Sequence, residues 1–254
     1  GVQTCALPIF DRSDYPLKSV AVDTWQGFVF LNFSESPNSL AEQLAPLTQA
    51  FAPWRLSELK MHRRIVYDVR ANWKLIVSNY NECLHCPPVH PALNKLTDYL
   101  GADNVPPSPH YIGGSMGFKP GMETMTLDGV RRRDYLPGLG PAERAQVAYY
   151  AIYPNLLLAP HPDFLLTHLL WPKGPDRTEI VCEFHFHPAE IAKPDFVCED
   201  AVELWDLTNR EDWRISELSQ EGIASRAYEP GPYSHREELL WAFDRMVEGA
   251  QMLD

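Results

Sequence analysis

The stretch NECLHCPPVHP, residues 81–91, holds one carboxylate, two thiols and two imidazoles within eleven positions. Glu82, His85 and His90 follow the spacing E-x2-H-x4-H. Two neutral imidazoles on one side of an ion make two thirds of a facial His-His-carboxylate triad, which holds non-haem Fe(II) and leaves positions open. On a helix, Glu82 and His85 lie three apart and share a face, whereas an unbroken helix would turn His85 and His90 away from each other. Pro87 and Pro88 are expected to end the helix after His85, so that His90 swings back from an extended segment toward the same centre. Cys83 and Cys86 form a C-x-x-C, as zinc or a thioredoxin-like redox pair would use, but no second cysteine pair completes a structural zinc site.

Other groups compete for a role. His161, Asp163 and His168 would make a second metal site if a hairpin brought them together, the alternative being a turn and pocket lining. His185 and His187 read as a solvated strand face with Glu183 opposite, and Cys182 and Cys198 as packing cysteines. Tyr149, Tyr150, Phe164 and Trp171 suit an apolar pocket for an aromatic ring, a cation-π cage for a quaternary ammonium group, or plain core.

These residues need elements to hold them. SVAVDTWQGFVFLNF (19–33) reads as a hairpin broken at Gln26 and Gly27, and Ser39 as the N-cap of a helix carrying Leu40, Leu44, Leu47 and Phe51. KMHRRIVYDVRA (60–71) alternates as a strand, with Ile65, Tyr67 and Val69 on one face. A helix starting at Asn72 carries Trp73, Ile76, Val77 and Tyr80 into the histidine segment. Residues 101–146, rich in Gly and Pro, read as loops and edge strands that form a lid, with strand-like pieces at GGSMGF and METMTL. VAYYAIYPNLLLA, FLLTHLLWP and TEIVCEFHFHP (147–188) make an antiparallel meander. A long helix is expected from after Pro194 to about Arg226, and a last one from about Ser234. The class is α+β, an antiparallel sheet wrapped around C-terminal helices.

NWKLIVSNYNECLHCPPVHP resembles the iron-binding signature in the catalytic domain of Rieske non-haem iron oxygenase α subunits, the family of aromatic-ring-hydroxylating dioxygenases and related demethylating monooxygenases. AVDTWQGFVFLNF, YPNLLLAPHPDFLLTHLLWP and NREDWRISELSQEGIASRAYEPGPYSHREE resemble the same family in order and spacing. The resemblance implies a helix-grip (START-like) domain over residues 10–254. It implies that His85 and His90 bind iron with a carboxylate from the long C-terminal helix. Asp212 matches that position and shares a helical face with Trp205, Asn209 and Ser216; Glu211, about 100° away, is the alternative. Glu82 matches the acid that connects the iron to a cluster ligand of the neighbouring subunit, and Asn79 would shape the pocket. Further implications are a [2Fe-2S] Rieske cluster in the intact protein, a ferredoxin or reductase as electron donor, and a homotrimer. The reaction would be O2-dependent ring hydroxylation or oxidative demethylation of a small amine. Cys83 with His85 mimics half of a Rieske cluster motif and is read as a decoy, for want of a downstream Cys-x2-His. Two readings stand beside this one: a non-catalytic helix-grip ligand-binding domain, and a zinc-dependent hydrolase using His85, His90 and Asp212.

The first nine residues, GVQTCALPI, resemble a translated sequencing adapter and are set aside. The remainder is long enough for one large domain. A net charge of −12 disfavours nucleic acid, and the Arg131–Arg133 run reads as isolated on an acidic surface. No apolar stretch approaches the roughly 20 residues needed to span a bilayer. Five cysteines without regular spacing do not form a secreted disulfide framework, so the chain reads as soluble, cytoplasmic and at home in a reducing compartment.

Overall fold

A computed structural model describes residues 11–251; the adapter-like stretch lies outside them. Gln26 and Gly27 adopt positive φ, 51° and 90°, the pair of left-handed residues that a tight hairpin turn requires. They join β1 (Ala21–Trp25) to β2 (Phe28–Asn32), a two-stranded sheet separate from the main one. Ser39 caps α1 (Leu40–Gln43) by accepting the Glu42 N–H. The expected single helix is broken at Leu44, and Pro46 sits in the first turn of α2 (Ala45–Ala50), where its missing N–H is not needed.

The strand β3 (Lys60–Val69) runs into α3 (Trp73–Tyr80), whose N-cap Asn72 accepts the Lys74 N–H. Next comes the four-residue helix α4 (Cys86–Val89). The short edge strand β4 (Asp103–Asn104) is followed by β5 (Tyr111–Gly117), the one-turn helix α5 (Pro141–Arg144), β6 (Gln146–Ile152), β7 (Leu156–Pro160), β8 (Leu165–Gly174) and β9 (Arg177–Phe186). A one-turn helix α6 (Pro188–Ile191), the 25-residue α7 (Glu199–Ile223) and α8 (Glu238–Gln251) close the chain. The main sheet is antiparallel throughout, in the order β3-β9-β8-β7-β6-β5-β4.

Three expectations are corrected here. The segment 101–146 is not merely a lid, because β5 pairs with β6 along its whole length. Its glycines allow close approach rather than a loop: a Cβ on Gly114 would lie 2.5 Å from the Asp103 carbonyl oxygen of β4. METMTL forms no strand; Thr124, Met125 and Thr126 are buried in a turn. The Arg131–Arg133 run is not wholly a surface feature either. Arg133 is 1% exposed, with its guanidinium 2.9 Å from Asp163 and 2.5 Å from Asp200, beside the rings of Phe164 and Phe186.

Period-two alternation divides the sheet between two cores. On one face Val147, Ala151, Leu157, Leu166 and Ile180 meet Ile76, Leu204, Trp205, Trp213 and Phe243 from α3, α7 and α8. On the other face Ala148, Tyr150, Ile152, Leu158 and Leu165 meet Trp25, Leu44, Leu47, Phe51 and Trp54. Burying each such large apolar side chain contributes roughly 1.5–3 kcal/mol, so the central strands are clamped from both sides. Cys182 and Cys198 are buried as expected, although Cys198 caps α7 rather than lying within it. No helix among the described residues is long and apolar enough to cross a membrane.

Candidate metal centre

The histidine segment departs from the expected geometry. Helix α3 ends at Tyr80, before Glu82, and the prolines do not terminate it. Pro87 and Pro88 instead occupy the opening turn of α4, with His85 as its N-cap and His90 as its C-cap. The Glu82 carboxylate accepts the backbone N–H groups of Leu84 and His85, and Cys83 is disulfide-bonded to Cys86. This turn, not a continuous helix, sets Glu82 beside His85. The cysteines are committed to each other and contribute no free thiolate to the centre.

Both histidines present Nε2 to one point. His85 Nε2 and His90 Nε2 are 3.1 Å apart, and Asp212 Oδ1 from α7 lies 2.8 Å from His90 Nε2 and 3.3 Å from His85 Nε2. Three donors at right angles about 2.1 Å from one ion would be about 3.0 Å apart, against about 3.4 Å in a tetrahedral set. The donor set and its spacing therefore fit a facial divalent-metal site. Asp212 comes from the face of α7 that also buries Trp205, Asn209 and Ser216, the stripe expected from sequence. Glu211, the alternative, lies on the far side of His90, with Oε2 2.7 Å from Nδ1. Glu82 makes the matching contact with His85 Nδ1. Asn79 Nδ2 stands 3.2 Å from His85 Nε2.

Without metal, His85 holds a proton. Burial pushes its pKa down, but hydrogen bonds to Asp212 and Glu82 outweigh burial and push it up to about 9. His90 moves upward, again against burial, on its bonds to Asp212 and Glu211. Burial would raise Asp212, but its two imidazole partners lower it. A metal ion has to displace the Nε2 proton. Affinity for Co(II) is therefore expected to climb about tenfold per pH unit below pH 9 and level off above it. Co(II) titrations between pH 6.5 and 9 check the rise, and a flat profile would contradict the coupling.

The centre opens through a small recess lined by Asn79, Tyr80, Met116, Tyr149, Trp205 and Thr208. Tyr80, Glu82, Cys83, Met116 and Tyr149 are shared with a larger cavity of about 350 Å³, which Tyr99, Asn104, Arg236 and Glu238 complete. Of the four aromatics considered from sequence, only Tyr149 lines it. Tyr150 belongs to the opposite core, Phe164 stacks on His161 at 4.0 Å, and Trp171 is 48% exposed. Trp205 lies on the helical face expected to carry Asp212, whereas Tyr80 and Met116 give no signal for the pocket separate from the helical and strand periods that bury them.

The other candidates disperse. His161 Nδ1 donates to the Ala159 carbonyl, Asp163 is bound to Arg133, and His168 Nε2 faces Asn209. Burial pushes His161 down to about 3 and His168 down to about 4, so both are neutral packing groups. Among the described residues, only His85, His90 and Asp212 form a cluster able to hold a metal. A Cys-x2-His does occur, at Cys182 and His185, contrary to expectation. It makes no cluster half, because strand parity sends Cys182 into the core and His185 to the opposite face of β9. His185 is half-buried there rather than solvated. Glu183 shares its face, 3.4 Å from Nε2.

The family model for the ring hydroxylating alpha subunit (catalytic domain) matches residues 56–250. The chain is 28% identical over 282 residues to the glycine betaine monooxygenase oxygenase subunit of Pseudomonas aeruginosa, covering 94% of this chain and 63% of that protein. It is 37% identical over 84 residues to the carnitine monooxygenase oxygenase subunit of Acinetobacter pittii, covering 32% of this chain and 23% of that one. The chain thus spans less than two thirds of the length of these relatives. A solved quaternary ammonium Rieske monooxygenase, described with carnitine oxidation and inter-subunit electron transfer, superposes with a TM-score of 0.68 at 19% identity over 98% of this chain and 66% of that one. That likeness establishes the fold.

Proposed function

The chain belongs to the ring-hydroxylating α-subunit family, matched over its catalytic domain, and on that premise we propose that it is the oxygen-activating part of a Rieske-type monooxygenase. Its substrate would be a small quaternary or tertiary amine, oxidatively demethylated. The observation that carries this reading is the convergence of His85 Nε2, His90 Nε2 and Asp212 Oδ1 on one point at the mouth of a cavity. His85, His90 and Asp212 would hold mononuclear Fe(II), which when bound supplies open coordination positions and the redox chemistry that O2 activation needs. The zinc-hydrolase and non-catalytic readings gain nothing from this family.

The chain's own side chains do the rest. Glu82 fixes the His85 ring and the turn that carries it. Tyr80 and Tyr149 remain neutral phenols, because burial raises both above the ordinary tyrosine range. Their rings, with Tyr99, wall a cavity that also carries the carboxylates of Glu82 and Glu238. The Arg236 guanidinium lines the same cavity, so aromatic faces and carboxylates suit the ammonium end of a substrate and the guanidinium an anionic end, in agreement with relatives named for glycine betaine and carnitine.

Electrons would come from a [2Fe-2S] cluster domain served by a ferredoxin or reductase, passing between subunits of a homotrimer through Glu82. The hairpin β1–β2 lies outside the 56–250 match and leaves Val29, Leu31 and Phe33 67%, 59% and 79% exposed. We assign that apolar surface to contact with the cluster domain. The test uses the chain loaded anaerobically with Fe(II), then given O2, a chemical reductant and glycine betaine. Formaldehyde release is expected, together with a betaine-induced change in the absorption spectrum of a second sample loaded with Co(II) instead. If both are absent while an aromatic compound is hydroxylated, the amine assignment is wrong.

A further inference from the structure

Each histidine of the centre uses both ring nitrogens. Nε2 faces the shared point, and Nδ1 faces a carboxylate: Glu82 for His85, Glu211 for His90. His90 is 1% exposed, and the 2.7 Å contact with Glu211 Oε2 is the hydrogen bond that occupies its Nδ1. Glu211 and Asp212 are consecutive on α7, about 100° apart. The His90 ring lies between their two carboxylates, Asp212 Oδ1 at one nitrogen and Glu211 Oε2 at the other.

Resting on the reading of His90 as a metal ligand, we infer that Glu211 is a positioning residue for the centre: it accepts the Nδ1–H of His90, which fixes both the ring angle and the tautomer that leaves the Nε2 lone pair free for the ion. One turn of α7 then supplies a metal ligand and the clamp for another ligand. A hydrogen-bonded carboxylate behind a metal-binding imidazole is commonly worth about 10–100-fold in metal affinity.

The test is Co(II) titration of the full chain as wild type, Glu211→Gln, Glu211→Asp, Glu211→Ala and His90→Ala, with thermal unfolding of each metal-free protein as a control for folding. Glu211→Ala should weaken Co(II) binding about 10–100-fold. Glu211→Asp keeps the charge but loses the reach, and should resemble Ala. Glu211→Gln loses the charge but keeps an acceptor oxygen, and should restore affinity to within a few fold of wild type. Glu211→Asp matching wild type while Gln matches Ala would show that charge alone matters and overturn the inference. Glu211→Ala within twofold of wild type would overturn it as well. Should Glu211→Ala fail to fold, the Asp and Gln pair still decides. Failure of a separate kind, with no Co(II) uptake by wild type or none lost in His90→Ala, removes the metal-centre reading and this inference with it.

Discussion

Asp212→Ala is expected to raise the dissociation constant for Fe(II) or Co(II) by more than a hundredfold or so, beyond the usual effect of losing an outer hydrogen-bond partner. The reason lies in the donor set. Among the described residues, Asp212 Oδ1 is the carboxylate oxygen that lies within 3.3 Å of both imidazole Nε2 atoms, and without it a divalent cation meets two neutral donors, with the carboxylates of Glu82 and Glu211 behind the rings at Nδ1. The imidazoles lose their shared acceptor at the same time, so His85 no longer holds its proton up to about pH 9. The two effects can be separated by titrating metal at pH 6.5 and at pH 9, because proton competition fades at the higher pH while the missing ligand does not. Metal content after anaerobic reconstitution is the first readout. If Glu211→Ala proves the more damaging change and Asp212→Ala leaves affinity within a few fold, the two acids have been assigned the wrong way round.

The second large effect is on stability. Arg133→Ala is expected to cost about 3–5 kcal/mol, the usual penalty for stranding one member of a buried ion pair. Asp163 is fully enclosed, and Arg133 is its charged partner at 2.9 Å, with Thr124 donating to the other carboxylate oxygen. Burial already pushes the Asp163 carboxyl upward, and removing the guanidinium pushes it further. A carboxyl whose folded pKa lies above its unfolded value takes up protons on folding, so stability falls as pH rises. The deficit of Arg133→Ala should therefore be wider at pH 8 than at pH 5, as measured by urea denaturation. The double variant Arg133→Met with Asp163→Leu should recover part of the loss, since it leaves no charge stranded at the enclosed Asp163 position, while Asp200, which also loses Arg133, keeps Arg132 at 3.6 Å. A single variant within about 1 kcal/mol of wild type at pH 8 would contradict this account.

Regular alternation and capping made most of the fold legible. The hairpin at Gln26–Gly27, the inward Tyr67 and Val69 of β3, and the long α7 follow from period and turn chemistry alone. Strand β5 was legible only in part: GGSMGF reads as a strand-like piece, but the loop-like composition around Gly113 and Gly114 hides that it pairs on both sides, with β6 and β4. The α3 boundary misled for a related reason. Proline is a helix breaker in an interior but a favoured opener in a first turn, and local sequence does not say which role Pro87 and Pro88 play. At the centre, the convergence of His85, His90 and Asp212 rested on a match of motifs plus one helical face. The position of Glu211 was beyond sequence reasoning, since its neighbour across the gap, His90, is 121 residues away. Arg133 was misread because sequence gives charge without depth.

His90 and Asp212 stand 122 residues apart in the chain, and strands β4 to β9 all lie between them. An ion held by both would close a covalent ring around six of the seven strands of the main sheet, acting as a clasp rather than as a passenger. The loop it ties is so long that the gain grows only logarithmically with length, yet the whole of it is transmitted to folding, because metal that binds the native chain alone stabilises it in proportion to the logarithm of its concentration. Melting temperature would then report metal supply.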